Sequence, residues 1–107
     1  MVTEEEIEKL KKDWQELMSL LRLCSKGSYE AAHQSYLIEQ TDRAAKLFRW
    51  AVIDYTGGNW TEKQLKAKGW ILPNNYSQMI SIGEAFALYE KHGLDPHPTR
   101  KYKVRID

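Results

Sequence analysis

The chain has 107 residues, 42% of them hydrophobic and 29% charged, with 16 Lys and Arg against 15 Asp and Glu. That length holds one core and excludes two full domains, and the composition excludes a disordered chain. A net charge of +1 excludes a global field for nucleic acid, so such binding needs a local patch, and the single cysteine excludes an internal disulfide or a cysteine-based zinc cluster.

Met1 to Glu8 is acidic and has no apolar signal core, and no stretch approaches the roughly 20 apolar residues of a membrane span. A cytoplasmic protein of a reducing interior, without membrane contact, is expected. Thr3 followed by Glu6 has the spacing of a capping box and starts a first helix, with Glu4, Glu5 and Glu6 placed where the helix dipole favours negative charge. Ile7, Leu10, Trp14, Leu17, Leu21 and Cys24 then follow a 3-4-3-4-3 spacing, one apolar stripe that asks for a second helix along it. Gly27 ends this helix in the left-handed region, and Ser28 caps the next.

The second helix is predicted from about Tyr29 to Asp54, without internal Gly or Pro. Its apolar positions are Ala32, Tyr36, Leu37, Ala44, Leu47, Phe48, Ala51, Val52 and Tyr55. The wholly polar run Glu39-Gln40-Thr41-Asp42-Arg43 marks either a kink or a turn facing water. Thr56-Gly57-Gly58-Asn59 breaks the chain. Thr61 with Gln64 repeats the capping-box spacing for a short third helix, Glu62 to Lys68, closed by Gly69. Trp70-Ile71-Leu72-Pro73 is extended, because the residue before proline avoids helical angles. Asn74 or Asn75 caps a fourth helix running to about His92, with Met79, Ile82, Phe86 and Tyr89 as its stripe and Gly83 beside it for close approach of a neighbour.

Beyond Gly93 the pattern changes. Leu94-Asp95-Pro96-His97-Pro98 cannot be helical, and Lys101 to Asp107 alternates, with Tyr102, Val104 and Ile106 on one side and Lys101, Lys103 and Arg105 on the other. Such a strand needs a partner, either Lys68–Leu72 as a minor β-ribbon or another molecule. The expected architecture is a single all-α domain over residues 1–107. Two long antiparallel helices carry a short and a medium helix across them, and residues 93–107 form an extended basic tail.

Candidate chemistry is sparse. Glu30-Ala31-Ala32-His33 is one E-x-x-H step, which di-iron bundles use twice. His33 is better explained as a polar group at the core edge, sharing a face with Leu37, Gln40 and Ala44 and hydrogen-bonded to Gln40 or to a neighbouring helix. Cys24 sits at a core position of the stripe and reads as packing, not as a nucleophile. Asp13-x-x-Glu16 and Glu39-x-x-Asp42 have a spacing that resembles the paired acidic motifs of all-α nucleotide pyrophosphohydrolases, whose acids bind Mg²⁺ and through it a triphosphate. Here the first pair opens with Asp where that pattern has Glu, and no further acidic partner follows. The pairs read as solvated helix faces, and no family is assigned on them.

The surface residues say more. Arg49 and Trp50, near the end of the second helix, combine two residue types typical of interface anchors, and Tyr102, Val104 and Ile106 suit strand addition to a partner. These five are the candidate partner-binding residues. Lys63, Lys66 and Lys68, with Arg100, Lys101, Lys103 and Arg105 and the rings of Trp60, Trp70 and Tyr102 nearby, form an alternative basic and aromatic surface suited to nucleic acid. The expected function is that of a small non-catalytic accessory or regulatory protein, binding a partner protein or itself and needing no cofactor. Its size would suit a phage- or mobile-element-encoded regulator. Nucleic-acid binding ranks second, and metal-dependent nucleotide hydrolysis third.

Overall fold

The computed structural model describes residues 1–26, 31–74, 76 and 78–96, and these form four helices and no strand. The helices are α1 (Glu4–Lys26), α2 (Ala31–Thr56), α3 (Glu62–Lys68) and α4 (Ile82–Lys91). The expected cap residues Gly27 and Ser28, and the whole alternating tail, lie outside the described residues. Lys68, expected to open a strand mate for that tail, is the last residue of α3.

α1 and α2 run antiparallel along most of their lengths. The start of α1 meets the end of α2, where Val2 N–H donates to Asp54 Oδ2 at 3.1 Å and Tyr55 Oη donates to Glu4 Oε1 at 3.1 Å. The sequence explains why α1 forms where it does: Thr3 Oγ1 accepts from Glu6 N–H at 3.2 Å, satisfying one of the free donors of the first turn. Ile7, Trp14, Leu17 and Cys24 are buried as the stripe requires, but Leu20 is buried where Leu21 was expected and Leu21 is half-buried. Leu20 and Leu21 stand about 100° apart around the helix, and in this fifth turn the Leu20 side is the one that faces the core.

α2 runs unbroken through the polar stretch. Thr41 turns inward, its hydroxyl donating to Leu37 and Ile38 carbonyls at 3.0 and 2.8 Å, while Glu39, Asp42 and Arg43 face water. Leu37, Ala44, Ala45, Phe48, Ala51 and Val52 form the buried face. Leu47, expected in the core, is exposed, and Ala45 takes a buried place instead.

α3 and α4 end alike, and the endings place core residues. In each, the glycine that follows adopts positive φ, and the next N–H reaches back five residues: Trp70 to Leu65 and Leu94 to Tyr89. This is the Schellman arrangement, which returns the following apolar side chain onto the helix it leaves. Trp70 is thereby buried against Ile7, Phe48 and Val52, stacking on Trp60 at 5.6 Å and meeting Tyr55 edge-on at 5.3 Å. Leu94 packs against the cluster of Trp14, Leu17, Leu37, Ala85 and Tyr89.

α4 begins later than expected. Tyr76 and residues 78–81 are not helical, and the helix starts at Ile82 with Ser81 as its cap. Ser81 and Glu84 form a reciprocal capping box, which satisfies two free donors where a lone Asn satisfies one. Tyr76 instead packs on Trp14 at a centroid distance of 5.5 Å. Of the expected stripe, Tyr89 points inward, joined by Ala85, whereas Met79, Ile82 and Phe86 are exposed. A Cβ built on Gly83 meets nothing closer than Ser81 Oγ at 4.0 Å, so among the described residues no neighbouring helix crosses there.

Candidate docking surface

The face of α2 turned away from α1 carries the most exposed large hydrophobic side chain of the helices among the described residues. Trp50 is 76% exposed, with Leu47 three residues before it and Ile53 (60% exposed) three residues after it. Residues three and four apart are neighbours on a helix, so these three make one apolar surface. An exposed apolar patch that includes an indole has the composition from which contact surfaces are built, which makes this face the candidate. Beside Ile53, a shallow groove runs between α2 and the segment after α3, lined by Arg49, Val52, Leu65 and Ile71.

The charges on the same face are sorted. Glu39 and Asp42 lie toward the start of α2, and Arg43, Lys46 and Arg49 toward its end. Among the described residues none of these five makes an ion pair, although Glu39–Arg43 and Asp42–Lys46 have the favourable i,i+4 spacing.

Lys63, Lys66 and Lys68 occupy α3. Lys66 pairs with Glu62 at 3.4 Å, and Lys68 pairs with Glu4 at 2.8 Å while its ammonium sits 5.6 Å from the Trp70 ring centre. The Lys68 bond and the Tyr55 hydroxyl hold the Glu4 carboxyl below its ordinary range. Lys68 is therefore engaged in fixing α3 to α1, and the Trp70 ring is only 4% exposed, which removes its face from the stacking surface expected beside these lysines. Tyr102, Val104 and Ile106, with Arg100, Lys101, Lys103 and Arg105, lie outside the described residues.

The acidic pairs do not come together. Glu39 and Asp42 are on the outward face of α2, whereas Asp13 and Glu16 are half-buried on α1 beside His92. Ligand-capable atoms of Asp13, Glu16 and His92 lie within 4.8 Å of one another. Glu16 already spends both carboxylate oxygens within the protein: Lys91 Nζ donates to them at 2.8 and 3.0 Å, and His92 Nε2 lies 3.0 Å from Oε1. Partial burial pushes the Glu16 carboxyl up, but the Lys91 and His92 hydrogen bonds outweigh it and hold the group below its usual value. The arrangement is a charge-balanced clamp that ties the end of α4 to α1. Sequence reasoning missed it because 76 positions separate Glu16 from His92.

His33 finds its partner on a neighbouring helix, as one of its two expected arrangements requires: its Nε2 lies 2.8 Å from the Tyr89 hydroxyl in the core. Cys24 is buried, which raises its thiol pKa and suits the packing role. Among the described residues no helix is long and apolar enough to cross a membrane. No family model matches the chain, and no curated protein or solved structure does either.

Proposed function

We propose that this chain is a non-catalytic accessory protein that works by docking, through the outward face of α2, onto another helical protein surface. The observation that carries this reading is Trp50, ordered on a long helix and 76% exposed, with Leu47 and Ile53 extending its apolar surface along the helix. Trp and Arg are the residue types most often found as interface anchors, and Arg49 stands beside Trp50. An enzyme of this size would be expected to gather its reactive groups in a cleft. Here the half-buried Glu16 is hydrogen-bonded within the protein, and the outward face of α2 offers apolar side chains beside charges of both signs.

A photo-crosslinking residue placed at position 50 or 53, with position 63 on α3 as the control, tests the reading in the cells that make the protein. Adducts from 50 and 53 and none from 63 are expected. Adducts from all three alike, or from none, overturn it. Nucleic acid crosslinked at 63, in a complex that dissolves steeply with salt, would move the function to the α3 lysines.

A further inference from the structure

We infer that the occupant of the α2 face is a second copy of this chain, the two α2 helices lying antiparallel across a two-fold axis; this rests on the docking reading above and names its partner. Read from its start, the outward face runs Ile38, then the acids Glu39 and Asp42, then the bases Lys46 and Arg49, then Trp50 and Ile53. At 3.6 residues per turn these positions line one side of the helix. Apolar groups stand at both ends and opposite charges in the middle.

Such a face is complementary to its own reverse. In the antiparallel register that sets Asp42 opposite Lys46 of the other copy, Glu39 stands opposite Arg49 and Ile38 opposite Trp50. The two-fold axis then repeats each pairing, as isologous contacts require. A parallel pairing sets Asp42 on Asp42 and Lys46 on Lys46, and like charges across a helix seam are repulsive. Charge order therefore selects both the partner and its direction. It also gives Glu39, Asp42, Lys46 and Arg49, four of those five charged residues, the ion partners they lack among the described residues.

The contact is long enough to matter. From Ser35 to Ile53 the helix advances roughly 28 Å, and each exposed Trp offers about 150–250 Å². Two such helices would bury on the order of 1,000 Å², the lower end of specific interfaces. A reversible dimer, formed and lost with micromolar dilution, is the expected state.

Sedimentation equilibrium of the full chain across low to high micromolar concentration is the test. A concentration-dependent dimer is expected, weakened at least tenfold by Trp50→Asp and also weakened by Asp42→Lys and by Lys46→Asp. The decisive arm mixes the last two variants. Each alone presents like charges to its own copy, but together they restore both central ion pairs, so heterodimers should form where neither variant dimerises. A folding defect or a change within one helix cannot produce that rescue, and helical circular dichroism of each variant checks the fold.

A chain that stays monomeric throughout, or a dimer indifferent to all these substitutions, overturns the inference. If position 50 still crosslinks to a different protein in that case, the docking reading stands and only the occupant is wrong. If it crosslinks to nothing, both fall.

Discussion

His33 Nε2 and the Tyr89 hydroxyl meet at 2.8 Å inside the protein, although 56 positions separate them in the chain. Both residues are buried, and they join the start of α2 to the inward face of α4, so the bond fixes where the last helix lies. Buried polar groups that are hydrogen-bonded cost little, while breaking the pair leaves a desolvated atom behind. Tyr89→Phe keeps the ring and removes the hydroxyl, and should lower unfolding free energy by about 1 kcal/mol. Urea denaturation gives the value; no shift in the midpoint would mean that ring packing alone positions α4.

Trp70 and Trp50 should respond in opposite ways to truncation. Trp70 fills the space between Ile7, Phe48 and Val52, so Trp70→Ala removes a large buried ring and should destabilise by about 3–5 kcal/mol. Trp50 buries little within the chain, and Trp50→Ala should change stability by less than about 0.5 kcal/mol in dilute protein, where self-association is absent. Thermal or urea unfolding of both variants at the same low concentration makes the comparison. Equal losses would place Trp50 in the core and remove the basis for a docking surface.

Gly83 is open to substitution. It lies in the first turn of α4 with φ outside the positive region, and a Cβ there has room. Replacing a helical glycine by alanine reduces the freedom of the unfolded chain, by up to about 1 kcal/mol in helix interiors and less near the ends. Gly83→Ala should therefore raise the urea midpoint modestly. A loss would reveal a close neighbour of α4 that the packing does not contain.

What could be read in the sequence was what local chemistry decides. Thr61, Gln64 and Gly69 define α3 by capping and handedness alone, and the stripe from Ile7 to Cys24 specifies a partner helix by spacing. Where two local signals competed, pattern reading failed: Asn74 or Asn75 and Ser81 can each start a helix, and the reciprocal bond to Glu84 settled it for Ser81. Of the side α4 buries, Tyr89 was legible but Ala85 was not, since Met79, Ile82 and Phe86 are at least as apolar as Ala85, and the choice belongs to α1. The polar run from Glu39 to Arg43 read as an interruption. Its charge order acquires meaning only once the helix is seen to continue with that side outward.

The Glu16 clamp sets an acid limit on stability. In the folded protein the Glu16 carboxyl lies below its ordinary value, partial burial being outweighed by the Lys91 and His92 hydrogen bonds, while in the unfolded chain it returns to about the usual 4.3. Between those two values the unfolded state binds more protons, so stability must fall as pH falls. The contribution is fully present above the ordinary carboxylate range and disappears as pH drops through the lowered folded value. Lys91 is about half exposed, so screening limits the whole effect to about 1 kcal/mol at neutral pH. Glu16→Gln should cost that much near pH 7 and nothing once both carboxyls would be protonated, and added salt should shrink the difference. Urea midpoints of wild type and variant at pH 7 and at pH 3 measure it. A gap that persists unchanged at pH 3 would assign the role of Glu16 to packing of its side chain rather than to its charge.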